Sequence, residues 1–185
     1  MILTYLSSDV TSNYSMQKCI YRYNPYHLWY DTLILTCITQ KIKTQRRHIM
    51  LKDLIGKYYF TGNYNCAETV LHAANEYYGL ELPEREMKLV SGFGAGMQTG
   101  NVCGALLAAI SVLSMRYVET KAHESAEIKP VTTLLTEKFM NALNGSLLCR
   151  EIKPAYFQEE VRCLATVQAA CDVIELAIRE YEETK

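Results

Sequence analysis

Val102-Cys103-Gly104-Ala105-Leu106-Leu107-Ala108-Ala109-Ile110-Ser111-Val112-Leu113-Ser114-Met115-Arg116-Tyr117-Val118 is the most apolar run in this 185-residue chain. Wound as a helix, it is apolar on nearly every side, and such a helix belongs at the buried centre of a bundle. Ala105, Ala108 and Ala109 let neighbours pack closely against it. The run is too short to span a bilayer and holds Ser111 and Ser114, so no membrane partner is expected.

On both sides of this run the chain reads as helix after helix. Leu51 to about Tyr59 forms a short first helix that ends near Thr61-Gly62. Cys66 to Tyr78 follows, with Val70, Leu71, Ala74, Tyr77 and Tyr78 along one stripe and Gly79 as its C-cap. Pro83 opens a short helix with Glu84 and Glu86 in the favourable first turn, and this gives out near Ser91. Pro130 opens a helix through Leu143, and Pro154 to about Glu183 is the last and longest. No segment alternates as a strand does. The pattern predicts an all-α fold, a small single-domain helical bundle with a central apolar helix.

Residues 1–49 read differently. They hold six of the fourteen tyrosines and the single tryptophan, Trp29, with no sustained apolar period. They carry six Lys/Arg against two Asp/Glu, a net of +4, whereas residues 50–185 carry thirteen against eighteen, a net of −5. The segment is expected to be an atypical N-terminal extension, either disordered or not translated natively. On the second reading the biological start is Met50, because Arg46-Arg47 can be encoded as a bacterial ribosome-binding sequence a workable distance upstream. Residues 50–185 form the helical domain, and its acidic balance argues against nucleic acid as a partner.

Seven cysteines are odd in number for a disulfide framework. No basic n-region followed by an apolar core opens the chain, so a cytoplasmic location with reduced thiols is expected.

Three of the cysteines sit where helices should begin. Asn65-Cys66-Ala67-Glu68 is a capping-box pattern that puts Cys66 at the first helical position. Asn101 is a plausible cap for the apolar run, with Cys103 in its first turn. Gly145 ends one helix and Ser146 starts the next, which carries Cys149 beside the positive Arg150. Helix N-termini present unpaired N–H groups and partial positive charge, which favour the reactive thiolate. Three such positions far apart in sequence suggest a site assembled from several helices. The competing account is that each cysteine packs as a small hydrophobe.

Gly92, Gly94, Gly96 and Gly100 punctuate the approach to the apolar run. A helix precedes them rather than a strand, and no Gly-Lys-Ser/Thr follows, so neither a Rossmann turn nor a P-loop is present. Gly94 and Gly96 could cradle a bound group; the plainer reading is a tight connection between helices.

These motifs together resemble the C_GCAxxG_C_C family of redox-active proteins. The resemblance rests on Asn65-Cys66-Ala67-Glu68, Gly92-Phe93-Gly94-Ala95-Gly96-Met97, Cys103-Gly104-Ala105-Leu106, Leu148-Cys149-Arg150 and Cys163. It covers about residues 50–183. It implies a small helical bundle and a redox role, with Cys66, Cys103, Cys149 and Cys163 as the family cysteines. Cys171 lies two turns beyond Cys163 as an extra, and Ala108 stands where the family usually has glycine. Part of the family resembles a haem-bearing domain, but this chain has no Cys-x-x-Cys-His, which argues against covalent c-type haem.

Two chemistries are open to such a set. A pair of the four could form a reversible disulfide with a redox partner protein. Alternatively, all four could act as metal ligands for zinc or an iron–sulfur cluster. Their spacings of 37, 46 and 14 residues are far from compact Cys-x-x-Cys signatures, so a metal site would need convergence of separate helices. A function from another class, a non-catalytic helical interaction module with structural cysteines, competes with both. Cys19 and Cys37 are expected to take no part. His72 is expected to point away from Cys66, and His123 to be solvated beside Glu124.

Overall fold

The computed structural model describes residues 49–185, and the reading of the extension therefore lies outside the described residues apart from Ile49. Among the described residues there are six α-helices: α1 (Cys66–Tyr78), α2 (Glu84–Met87), α3 (Gly104–Tyr117), α4 (Ile128–Ala142), α5 (Cys149–Tyr156) and α6 (Leu164–Glu183). A 3-10 segment at Leu51–Leu54 and a wider π segment at Lys57–Thr61 precede α1, and a 3-10 segment at Lys88–Phe93 follows α2. No strand occurs among the described residues, which carry two isolated antiparallel bridges, Val102 with Leu148 and Gln158 with Arg162. The all-α bundle expected from the sequence is the observed fold.

Helix α3 is the centre, as its composition requires. Leu106, Ala108, Ala109, Val112 and Leu113 are buried, and the helix packs on α1, α4 and α6. Each large aliphatic side chain buried there contributes about 1.5–3 kcal/mol of transfer free energy. Among the described residues, no helix is long and apolar enough to cross a membrane.

Local chemistry explains the helix ends that the sequence predicted well. The Asn65 carboxamide oxygen accepts from the Ala67 and Glu68 N–H groups at 2.9 and 3.1 Å. The Glu68 carboxylate returns the favour to the Asn65 N–H at 3.0 Å and closes the capping box. Gly79 ends α1 at φ 63° and ψ 48°, the left-handed cap geometry.

Several boundaries differ from expectation: Pro83 is the N-cap of α2 rather than its first residue, α4 begins at Ile128 ahead of Pro130, and the expected first helix from Leu51 is a 3-10 turn followed by a π turn. Ser146 does not cap α5; the N-cap is Leu148, and the Ser146 hydroxyl accepts the Leu148 N–H at 3.0 Å instead. The expected long helix from Pro154 is two helices. Pro154 lies inside the last turn of α5, and the chain then turns extended at Phe157. It re-enters a helix only after Arg162, which adopts φ 53°. Tyr59 holds that break: its carbonyl accepts from the Arg162 guanidinium, and its hydroxyl accepts the Cys163 N–H at 2.8 Å. These tertiary bonds override the helical propensity of the intervening residues.

Candidate functional site

Four helix starts face one cavity. Cys66 is the first residue of α1 and Cys149 the first of α5, while Cys103 is the N-cap of α3 and Cys163 the N-cap of α6. All four line a cavity of about 190 Å³. The sequence signalled three of these helix starts; Cys163 had no cap residue or glycine beside it and was identified through the family resemblance alone. Cys171 lies fully buried in the core and does not line the cavity.

The loop between Phe93 and Cys103 fixes the relative positions. Ala95, Gly96, Met97 and Gln98 all have positive φ, so the chain makes one left-handed turn there. The Ala95 N–H and the Ala67 N–H are turned toward the Cys66 thiol. The Asn101 carbonyl accepts the Cys149 N–H at 2.7 Å, and the Cys103 N–H donates to the Leu147 carbonyl at 2.8 Å. Asn101 thus joins two cysteine-bearing segments rather than capping α3 with its side chain.

Gly96 has no room for a side chain: a Cβ there would stand 2.5 Å from the Asn101 oxygen and 2.7 Å from the Cys149 Cβ. A Cβ at Gly94 would stand 3.0 Å from the Asn65 carboxamide nitrogen. The residue of this loop that lines the cavity is Ala95. Ala108, at the family's glycine position, is fully buried in α3.

The electrostatics depart from the helix-start argument. Burial pushes the Cys103 thiol up to about 12 and the Cys163 thiol up to about 11, and it raises Cys66 as well. Backbone N–H groups at the helix starts do lower Cys66 and Cys103, as expected, but desolvation is the larger effect. Charge on Cys66 and on Cys149 raises both Cys103 and Cys163, and charge on Cys149 raises Cys66. The compensating cations are Lys153 and Arg162, which line the cavity and lower Cys163. Arg150, the cation expected to act on Cys149, is exposed and packs beneath Gly100.

No carboxylate lines the cavity. Glu68 is spent on the capping box and on the Ser91 hydroxyl, which donates to it at 2.5 Å. His72 does not line the cavity; it is buried between Tyr58 and Tyr64, with ring centroids 5.2 and 4.1 Å from its own. His123 is exposed in a short turn. The five described cysteines are free thiols. Among the described residues, no three histidines, cysteines or carboxylates converge closely enough to hold one metal ion.

With this geometry in view, the comparisons with known proteins are informative. A family model described as "Putative redox-active protein (C_GCAxxG_C_C)" matches residues 64–176. The chain belongs to the C_GCAxxG_C_C family. No curated protein and no solved structure matches it. The matched span of the C_GCAxxG_C_C domain runs from just before Cys66 to the middle of α6, and it contains all four cavity cysteines and the left-handed turn.

Proposed function

We propose that Cys66, Cys103, Cys149 and Cys163 form one redox centre, and that their thiolates hold an iron–sulfur cluster that exchanges electrons with a partner protein in the cytoplasm. The observation that carries this reading is the meeting of four helix-start cysteines around one cavity that no carboxylate lines.

The donor set is soft and sulfur-only, which suits iron–sulfur chemistry. A single tetrahedral zinc ion fits poorly: its sulfurs must all stand about 2.3 Å from one metal, and no three of these ligand types converge that far among the described residues. A cluster spreads its cysteines over several irons. Such a group would supply one-electron transfer, and its metal charge would offset the cost of holding thiolates in an apolar cavity. The protein's own part is to fix the sulfurs by helix-start backbone groups, to line the cavity with the apolar Ile152 and Phe157, and to place Lys153 and Arg162 against the negative charge. Burial raises the thiols of Cys66, Cys103 and Cys163, and a protonated thiol is a poor nucleophile at neutral pH, which weighs against these three as the attacking group of a dithiol exchanger.

The test is iron and acid-labile sulfide content of the full chain purified without oxygen. Near-stoichiometric iron and sulfide, lost in Cys66→Ser and Cys103→Ser, is the expected result. A folded protein free of both, which also takes up neither on anaerobic reconstitution, would overturn it and favour a dithiol pair.

A further inference from the structure

Thr166 is out of place by the ordinary rule that buried polar groups find partners. It is 3% exposed and lines the four-cysteine cavity, and its hydroxyl has no hydrogen-bond partner in the protein. It stands on α6 three residues after Cys163. Threonine in a helix commonly satisfies itself on the preceding turn's carbonyl, as Thr133 and Thr136 do in α4. Thr166 does not. Leaving a buried hydroxyl unpaired costs about 1–3 kcal/mol, whereas valine would fill the same volume without that cost.

The rest of the lining narrows what the hydroxyl can meet. The Tyr59 hydroxyl already accepts from the Cys163 N–H, and the Asn65 carboxamide is committed to the α1 cap and to the Ser91 carbonyl. Lys153 and Arg162 bring only donors. A cavity with cations, a spare hydroxyl donor and no carboxylate suits an electron-rich occupant, and the sulfurs of an iron–sulfur group held by the four cysteines would be one.

We propose that Thr166 donates a hydrogen bond to a sulfur of the group held by the four cysteines and so raises its reduction potential. This inference rests on the iron–sulfur reading above. Hydrogen bonds to cluster or cysteine sulfur stabilise the more negative reduced form, so they move the potential upward. Thr166 is then a positioning and tuning residue, not a ligand.

The experiment compares wild type, Thr166→Val and Thr166→Ser as full chains purified without oxygen. Iron and sulfide content are measured first, then the midpoint potential by titration with dithionite and mediators. In Thr166→Val, unchanged iron content with a lower potential is the expected result, and Thr166→Ser restores the wild-type value. The metal-free valine variant should unfold at the same or a higher denaturant midpoint than metal-free wild type, because an unpaired hydroxyl has been removed. An unchanged potential in a fully loaded valine variant overturns the inference while leaving the cluster in place; a water would then be the hydroxyl's partner. A metal-free valine variant markedly less stable than wild type also overturns it, because the hydroxyl then has a structural partner. A wild-type protein without iron or sulfide, even after reconstitution, fails at the earlier step and removes both.

Discussion

At the scale of the residue, the site is held by what is missing as much as by what is present. Gly104 follows Cys103 directly, and a Cβ there would stand 2.3 Å from the Phe93 carbonyl oxygen and 3.2 Å from the Cys66 sulfur. The limit is space, since Gly104 has ordinary helical backbone. Backbone cannot retreat as a flexible side chain can, so Gly104→Ala must push α3 off the Phe93 segment. We expect a loss of about 1–3 kcal/mol, the range for overpacking a tight core, read as a lower urea midpoint at unchanged slope. A variant as stable as wild type would mean that the two segments are not pressed together. The sequence marked Gly104 only as part of a motif. Its physical reason, the approach of a carbonyl some ten residues upstream, becomes visible only once the chain is folded.

At the scale of the element, the left-handed turn from Ala95 to Gln98 is the strangest piece of backbone in the protein. Left-handed residues ordinarily occur singly, because each non-glycine one costs about 1–2 kcal/mol. Three of the four here carry side chains. Gln98 is exposed, makes no side-chain hydrogen bond among the described residues, and has φ 60° and ψ 8°. Substitution at an exposed position normally changes stability by about 0.5 kcal/mol or less. A β-branched side chain is the worst fit to left-handed backbone, so Gln98→Val should cost about 1–2 kcal/mol while Gln98→Gly costs nothing or stabilises slightly. Equal midpoints for the two variants in thermal unfolding would show that the turn is not left-handed. Such a turn is opaque in sequence, because Ala, Met and Gln give no sign of positive φ. The capping box at Asn65 and the left-handed Gly79 cap were legible because their signals are local. The break between α5 and α6 was not, because Tyr59, about a hundred residues away, makes it.

At the scale of the whole molecule, two sequence arguments compete over the same thiols, and burial decides between them. The apolar pattern of Val102–Val118 predicted a packed centre, and the cysteine positions predicted helix-start stabilisation of thiolates. The structure sets those helix starts against the packed centre, where desolvation outweighs the N–H groups. The consequence has a sign. In the unfolded chain each thiol returns to about 8.5, while in the native protein Cys103 stands at about 12 and Cys163 at about 11, with Cys66 and Cys171 also raised. Between the two values the native state holds more protons, so stability falls as pH rises. The stabilising contribution is complete below the unfolded value and is lost progressively as pH rises through about 11 and about 12. Tyr77, raised to about 12 by burial and by its bond to Glu175, extends the same trend at the alkaline end. The reduced, metal-free full chain should therefore show a thermal midpoint that is flat near neutrality and declines steadily once pH passes about 8.5. Had the helix-start field prevailed, native thiolates would be favoured and the midpoint would climb between neutrality and the unfolded thiol value. A rising midpoint in that interval would show that the cavity is wetter than its lining suggests, and the four cysteines would then be better suited to attack than to hold a cluster.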